Sequence, residues 1–224
     1  MAGGKLILAS RAGGKPNTRI RVRNSKARTT VSKVNRLSKL VHSIMPERKH
    51  AGVNLFGSTV SSTASITPVF NFIGQGTDET DRTGNEISVN SVSIPMQISA
   101  NAVLPALSTE TVRVLLILDK QNNGTNPAIA DILDIANASY PFMALQNLYN
   151  TKRFKWLYDR KFTLSLQNYP VFNKTIHKSF KFLKVEYDKN DIPTKNQLYF
   201  VLLSDQAVTM PSLVADLRVN FIDN

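Results

Sequence analysis

Thirteen lysines and arginines crowd the first 50 residues: Lys5, Arg11, Lys15, Arg19, Arg21, Arg23, Lys26, Arg28, Lys33, Arg36, Lys39, Arg48 and Lys49. One acid, Glu47, stands against them, so this segment carries a net +12, the whole formal charge of the 224-residue chain. Residues 51–224 hold the remaining 15 basic and 15 acidic side chains and are neutral by count. The chemistry open to such a cluster is neutralisation of a polyanion. Guanidinium forks match phosphate oxygens, and each phosphate contact releases counterions without reading base sequence. The alternation Arg19-Ile20-Arg21-Val22-Arg23 would set three guanidinium groups along one edge of an extended chain. We therefore take Lys5, Arg11, Lys15, Arg19, Arg21, Arg23, Lys26, Arg28, Lys33, Arg36 and Lys39 as candidate nucleic-acid contacts.

Residue patterns for catalysis are sparse. The three histidines, His42, His50 and His177, have neither metal-ligand spacing nor a neighbouring Ser/Asp pair of the kind a triad needs. Gly74-Gln75-Gly76 lacks the third glycine and the following helix of a dinucleotide fingerprint. Gly13-Gly14-Lys15-Pro16 lacks the strand and the hydroxyl residue of a phosphate loop. The chain has no cysteine, which removes disulfides, thiol catalysis and Cys-ligated metals. The expectation is a protein that is not an enzyme. Asp78, Glu79, Asp81 and Glu86 form an acidic cluster that reads as a solvated loop or, alternatively, as oxygen ligands for a hard cation. Trp156 reads as a core aromatic or as a base-stacking residue.

The elements that must position these groups fall into two parts. Residues 1–28 are rich in Gly, Ser, Asn, Arg and Lys, too poor in large apolar side chains to offset ordering entropy, and are expected to be disordered. Residues 29–50 read as an amphipathic basic helix and linker. Val31, Val34, Leu37, Val41 and Ile44 recur every three or four positions, Thr29 or Thr30 could cap the start, and Pro46 follows the end. Its basic face would lie against nucleic acid, or its apolar stripe would pack on the body. From residue 51 the texture is β-branched and aromatic, with candidate strands near 52–60, 65–73, 86–100, 111–119, 153–166, 176–187, 197–205 and 214–222. Leu217, Val219 and Phe221 alternate with Arg218 and Asn220, as in a strand with one buried face. Val112–Leu118 is apolar on both faces and suits a central strand. Ile129, Ile132, Leu133 and Ala136 suggest one or two short helices within 127–148. The fold class is all-β: an eight-stranded jelly-roll sandwich bearing a basic, partly helical N-terminal arm. Leu6-Ile7-Leu8 is too short for a secretory core and no apolar run approaches a membrane span, so the protein is expected to be soluble and made inside the cell, with no membrane partner.

Three stretches resemble one known family. The first is Ile73-Gly74-Gln75-Gly76 with Asp81-Arg82-Thr83-Gly84-Asn85-Glu86-Ile87. The second is Val112 through Asp119, then Asn123-Gly124-Thr125-Asn126-Pro127 and Asp131-Ile132-Leu133. The third is Lys152-Arg153-Phe154 through Tyr158-Asp159 and Phe162-Thr163-Leu164. In this order they resemble the small single-jelly-roll capsid proteins of satellite tobacco necrosis virus and of Rep-encoding circular single-stranded DNA viruses. The match is good over residues 30–166 and extends over the last 58 only in pattern. The Ser/Thr-rich stretch 57–65 departs from it.

The resemblance implies a virion coat protein that self-assembles, with about 60 copies closing an icosahedral T=1 shell. The basic arm would lie inside against a single-stranded genome. Phosphate neutralisation serves DNA and RNA alike, and in the host cell the protein would sit in nucleus or cytoplasm. No cofactor is required, but some family members bind calcium between subunits. Carried over, the ligands here would be the Thr83 carbonyl, Glu86, Asp223 and a neighbour's Glu47. The competing reading is a non-viral nucleic-acid-binding protein with a basic tail on a β-sandwich.

Overall fold

The computed structural model describes residues 32–37, 47–105 and 107–223. The chain divides into two units, Met1–Met45 and Pro46–Asn224. In the first, residues 32–37 are helical. The rest of the expected arm helix, its caps and the 1–28 segment lie outside the described residues.

The second unit is a two-sheet sandwich of antiparallel strands. They are β1 (Arg48–Thr59), β2 (Ser65–Pro68), β3 (Glu86–Ser99), β4 (Glu110–Asp119), β5 (Phe154–Leu164), β6 (Val171–Tyr187), β7 (Pro193–Lys195), β8 (Gln197–Ser204) and β9 (Ser212–Asp223). One sheet runs β1-β9-β3-β6-β7 and the other β2-β8-β4-β5. Chain neighbours β1, β2, β3 and β4 alternate between sheets, while the last strand lies beside the first. That wiring is a jelly roll. All eight expected strands are present, and the three-residue β7 is added at the edge against Glu186 and Tyr187.

Boundaries moved where pairing rather than hydrophobicity sets strand length. β1 begins at Arg48, inside the expected linker, because Arg48, Lys49 and His50 pair with Ile222, Phe221 and Asn220. β6 begins at Val171, since the polar run through Thr175 pairs with β3 from Ser99 to Pro95. The expected strand 65–73 ends at Pro68. Val69 still donates its amide to the Leu198 carbonyl of β8 at 2.7 Å, and the chain then turns away, with Val69, Phe70 and Ile73 fully buried.

The apolar sides of the two sheets face each other over Val89, Ile94, Val114, Leu116, Phe200, Val219 and Phe221. A second cluster covers the opposite face of the four-stranded sheet. There Leu115, Ile117, Tyr199, Val201 and Leu203 meet Ile132, Leu133 and Ala144 from the insertion between β4 and β5. The insertion holds one helical turn at Ile129–Ile132 and 3-10 turns at Ile135–Asn137, Pro141–Met143 and Leu148–Asn150. This explains why β4 is apolar on both faces: each side of its pleat meets its own core. Trp156 packs against that second cluster and lies 5.8 Å below the Arg113 guanidinium, which makes it a packing residue.

Four charged residues of the three family-like stretches, Arg82, Arg113, Asp119 and Arg153, are internal ties. Arg153 on the β5 approach grips the fully buried Asp119 at the end of β4 through Nε (3.1 Å) and Nη2 (2.8 Å). Arg113 makes a two-pronged pair with Asp159 (2.9 and 2.8 Å) and donates to the Ala144 carbonyl, pinning the insertion. Arg82 is buried, pairs with Asp191, donates to the Gly84 carbonyl and lies 4.2 Å from the Tyr187 ring centre. Backbone bonds from Arg82 to Gly74 and from Gly76 to Arg82 close the loop around it. A Cβ at Gly76 would press on the Asp81 carboxylate, so any larger residue there would have to displace that side chain. Breaking a buried pair strands a charge away from water. Arg153→Ala, which leaves the fully buried Asp119 carboxylate without its cation, is therefore expected to destabilise the subunit by about 3 kcal/mol or more, read as a lower urea midpoint. The exposed Lys152→Ala should stay within about 0.5 kcal/mol; equal midpoints for the two variants would refute the tie.

Candidate functional site

Of the eleven candidate nucleic-acid residues, the structure describes Lys33 and Arg36. They lie three apart in the 32–37 helix and so share one of its faces, with Val34 and Leu37 on the adjoining face. Lys5, Arg11, Lys15, Arg19, Arg21, Arg23, Lys26, Arg28 and Lys39 lie outside the described residues.

The four residues named as metal ligands gather at one end of the five-stranded sheet. There β1 and β3 begin and β9 ends: Arg48 pairs with Ile222, and Ile87 with Asp223. At the centre stands Lys49, only 5% exposed. Its ammonium is 2.9 Å from the Asp81 carbonyl, 3.3 Å from Asp223 Oδ2, 3.5 Å from Thr83 Oγ1 and 4.0 Å from Glu47 Oε2. Asp223 Oδ2 also accepts the Thr83 amide at 2.6 Å, and Oδ1 the Gly84 amide at 3.5 Å. Burial alone would push the Asp223 carboxyl up. The Thr83 hydroxyl and amide, the Lys49 ammonium and the Gly84 amide outweigh it and hold the group below its ordinary value.

As one subunit presents them, these residues do not fit a calcium set. Lys49 supplies the positive charge among Asp223, Glu47 and Thr83. The Thr83 carbonyl accepts Gln75 Nε2 at 3.0 Å, and Glu86 pairs with Lys184 at 2.6 Å. Among the described residues, no group of three or more His, Cys, Asp or Glu side chains is placed to hold a metal ion. The role of Lys49 was missed in the sequence, where it counted as arm charge. Its parity could have shown it: Lys49 shares the inward side of β1 with Ala51, Val53 and Leu55. Arg82 had no comparable signal outside the family-like motif.

The remaining candidates are placed plainly. Asp78 and Glu79 are exposed in a loop. His50 is exposed on β1. His177 spans two serines across β3 and β6, with Nδ1 2.8 Å from Ser93 Oγ and Nε2 3.2 Å from Ser179 Oγ.

A lone jelly roll preceded by a strongly cationic extension defines the class of single-jelly-roll shell subunits. The chain belongs to the satellite tobacco necrosis virus coat protein family, whose model matches residues 20–224. It is 25% identical over 181 residues to the coat protein of Maize white line mosaic Satellite virus, covering 79% of this chain and 81% of that one. It is likewise 25% identical over 143 residues to the capsid protein of Satellite tobacco necrosis virus 1, covering 63% of this chain and 68% of that one. Among solved structures, a Desmodium yellow mottle tymovirus chain aligns with a TM-score of 0.39 at 8% identity, over 80% of this chain and 88% of the other.

The junction makes a prediction with a defined sign. Because the Asp223 carboxyl is held below its ordinary 3.8, its stabilisation is complete above that pH and is lost as pH falls through the lowered value. Asp223→Asn is expected to lower the thermal midpoint of the subunit at neutral pH and to have little effect once wild-type Asp223 is protonated. An equal loss at both pH values would contradict the ion-pair account.

Proposed function

We propose that this coat protein assembles with about 60 copies of itself into an icosahedral shell and packages single-stranded nucleic acid through its N-terminal arm. The observation that carries this reading is charge segregation: the first 50 residues hold +12 and residues 51–224 hold none on balance. Neutral bodies can pack side by side without mutual repulsion, whereas like-charged ones cannot. Arg48 and Lys49 belong to β1, and Lys49 is committed to Asp223. The packaging charge is therefore the eleven cations from Lys5 to Lys39. Multiplied by the copy number, they supply about 660 positive charges, enough for a genome on the order of one kilobase within a factor of two. The mechanism is phosphate neutralisation with counterion release, which takes DNA or RNA. The virion is the destination of the protein.

The test is deletion of residues 1–40. The shortened chain should remain folded but yield particles or subunits with the ultraviolet absorbance ratio of protein alone. Folded, truncated protein that packages nucleic acid normally would overturn the reading.

Divalent cations are not required in this account, because in each subunit the Lys49 ammonium already pairs with Asp223 at 3.3 Å. Treating assembled particles with a chelator should leave their melting temperature unchanged. A drop that calcium reverses would instead assign Glu47, Thr83, Glu86 and Asp223 as ligands.

A further inference from the structure

The neutrality of the body conceals a second basic region. Between residues 152 and 181 stand Lys152, Arg153, Lys155, Arg160, Lys161, Lys174, Lys178 and Lys181, against the single acid Asp159. Arg153 and Asp159 are consumed in the ties to Asp119 and Arg113. Among the described residues, Lys155, Arg160, Lys174, Lys178 and Lys181 form no ion pair with a carboxylate.

These cations line the seam where the sandwich opens between β5 and β6. At one end Phe162 and Phe172 meet with ring centres 4.3 Å apart. Arg160 and Lys174 sit two residues along from them on their strands, and so on the same faces. Further along, a cleft of about 350 Å³ has Leu118, Leu157, Phe180 and Leu183 among its walls and Lys155, Lys178 and Lys181 at its rim. That volume is within the range of small-ligand sites.

Phe182 also lines the cleft and is 68% exposed. It sits where β6 departs from its register. Ser179 pairs with Ser91 and Leu183 with Val89, so Phe180, Lys181 and Phe182 bulge opposite the single residue Asn90. Phe182 has φ of +58°, a left-handed conformation that costs a bulky side chain energy. The fold thus bends an edge out of register and leaves an aromatic ring in water, between lysines.

We propose that this β5–β6 seam is a second binding site for single-stranded nucleic acid, in which Phe182 stacks on a base while Lys155, Lys178 and Lys181 hold flanking phosphates. Ring and cations together favour this occupant. A sulfated polysaccharide would need the charges but not an exposed aromatic, whereas unpaired bases use both. The inference deepens the packaging reading and rests on it for the identity of the ligand.

The experiment uses the full-length chain and a fluorescent single-stranded oligonucleotide, with affinity measured across a salt series. Three seam changes together, Lys155→Gln, Lys178→Gln and Lys181→Gln, should flatten the log–log salt slope by about two, given roughly 0.7 per lost phosphate contact on a single strand. Phe182→Ala should weaken binding by about tenfold or more with the slope unchanged. Photocrosslinking to a bromouracil oligonucleotide should label the peptide that contains Phe182, a readout that mere destabilisation would not produce. Unaltered slope, unaltered affinity for Phe182→Ala and crosslinks confined to the arm would overturn the seam and leave arm packaging standing. Seam variants that lose heparin binding but keep oligonucleotide binding would overturn it in favour of a polysaccharide. Lys33→Gln with Arg36→Gln serves as the arm control: no slope change there would count against the arm reading and not against the seam.

Discussion

Electrostatic repulsion is the constraint around which this chain is arranged. Twelve net charges on one small domain would oppose any close approach of identical copies. Here they are confined to the first 50 residues, and the remainder is balanced. Tails with such charge can share a volume only with a polyanion, so in the proposed shell assembly and packaging are coupled through the same residues. A wall that forms without its lining filled would enclose hundreds of mutually repelling cations.

Balance within the body is achieved by more than equal counts. Three of its arginines, Arg82, Arg113 and Arg153, are turned inward onto Asp191, Asp159 and Asp119. They fix the loop before β3, the insertion over the four-stranded sheet and the approach to β5. Lys49 does the same at the sheet end, where β1, β3 and β9 converge on Asp223. Buried pairs of this kind add little net stability compared with apolar packing, but breaking one is costly, and that makes them devices for holding loops in one arrangement. The lysines of β5 and β6 that have no such partner then stand out as charge kept for another purpose.

Much of the architecture was legible in the sequence. Period-2 alternation marked β9, the doubly apolar β4 marked a covered sheet, and the Ile129–Leu133 spacing marked the turn of helix above it. What was not legible depended on pairing. Arg48–His50 became strand, although basic, because β9 offered partners, and Val69–Ile73 did not, although mostly apolar, because the chain turns away from β8 after Val69. The charge asymmetry was plain from counting, but counting assigned Lys49 to the arm when its side chain is internal. Counting also averaged away the seam, since its lysines are offset by acids elsewhere in the body. The family-like motifs pointed to fold rather than to chemistry: their charged residues are mostly ties.

The central claim is that a neutral jelly roll forms the wall and its cationic arm the lining. Electron microscopy of the purified full-length protein, with and without single-stranded nucleic acid, tests it most directly. The account predicts closed particles about 20 nm across, the scale of roughly 60 such domains, with density inside the wall when nucleic acid is present. Monomers or small oligomers coating the outside of the strand would contradict it.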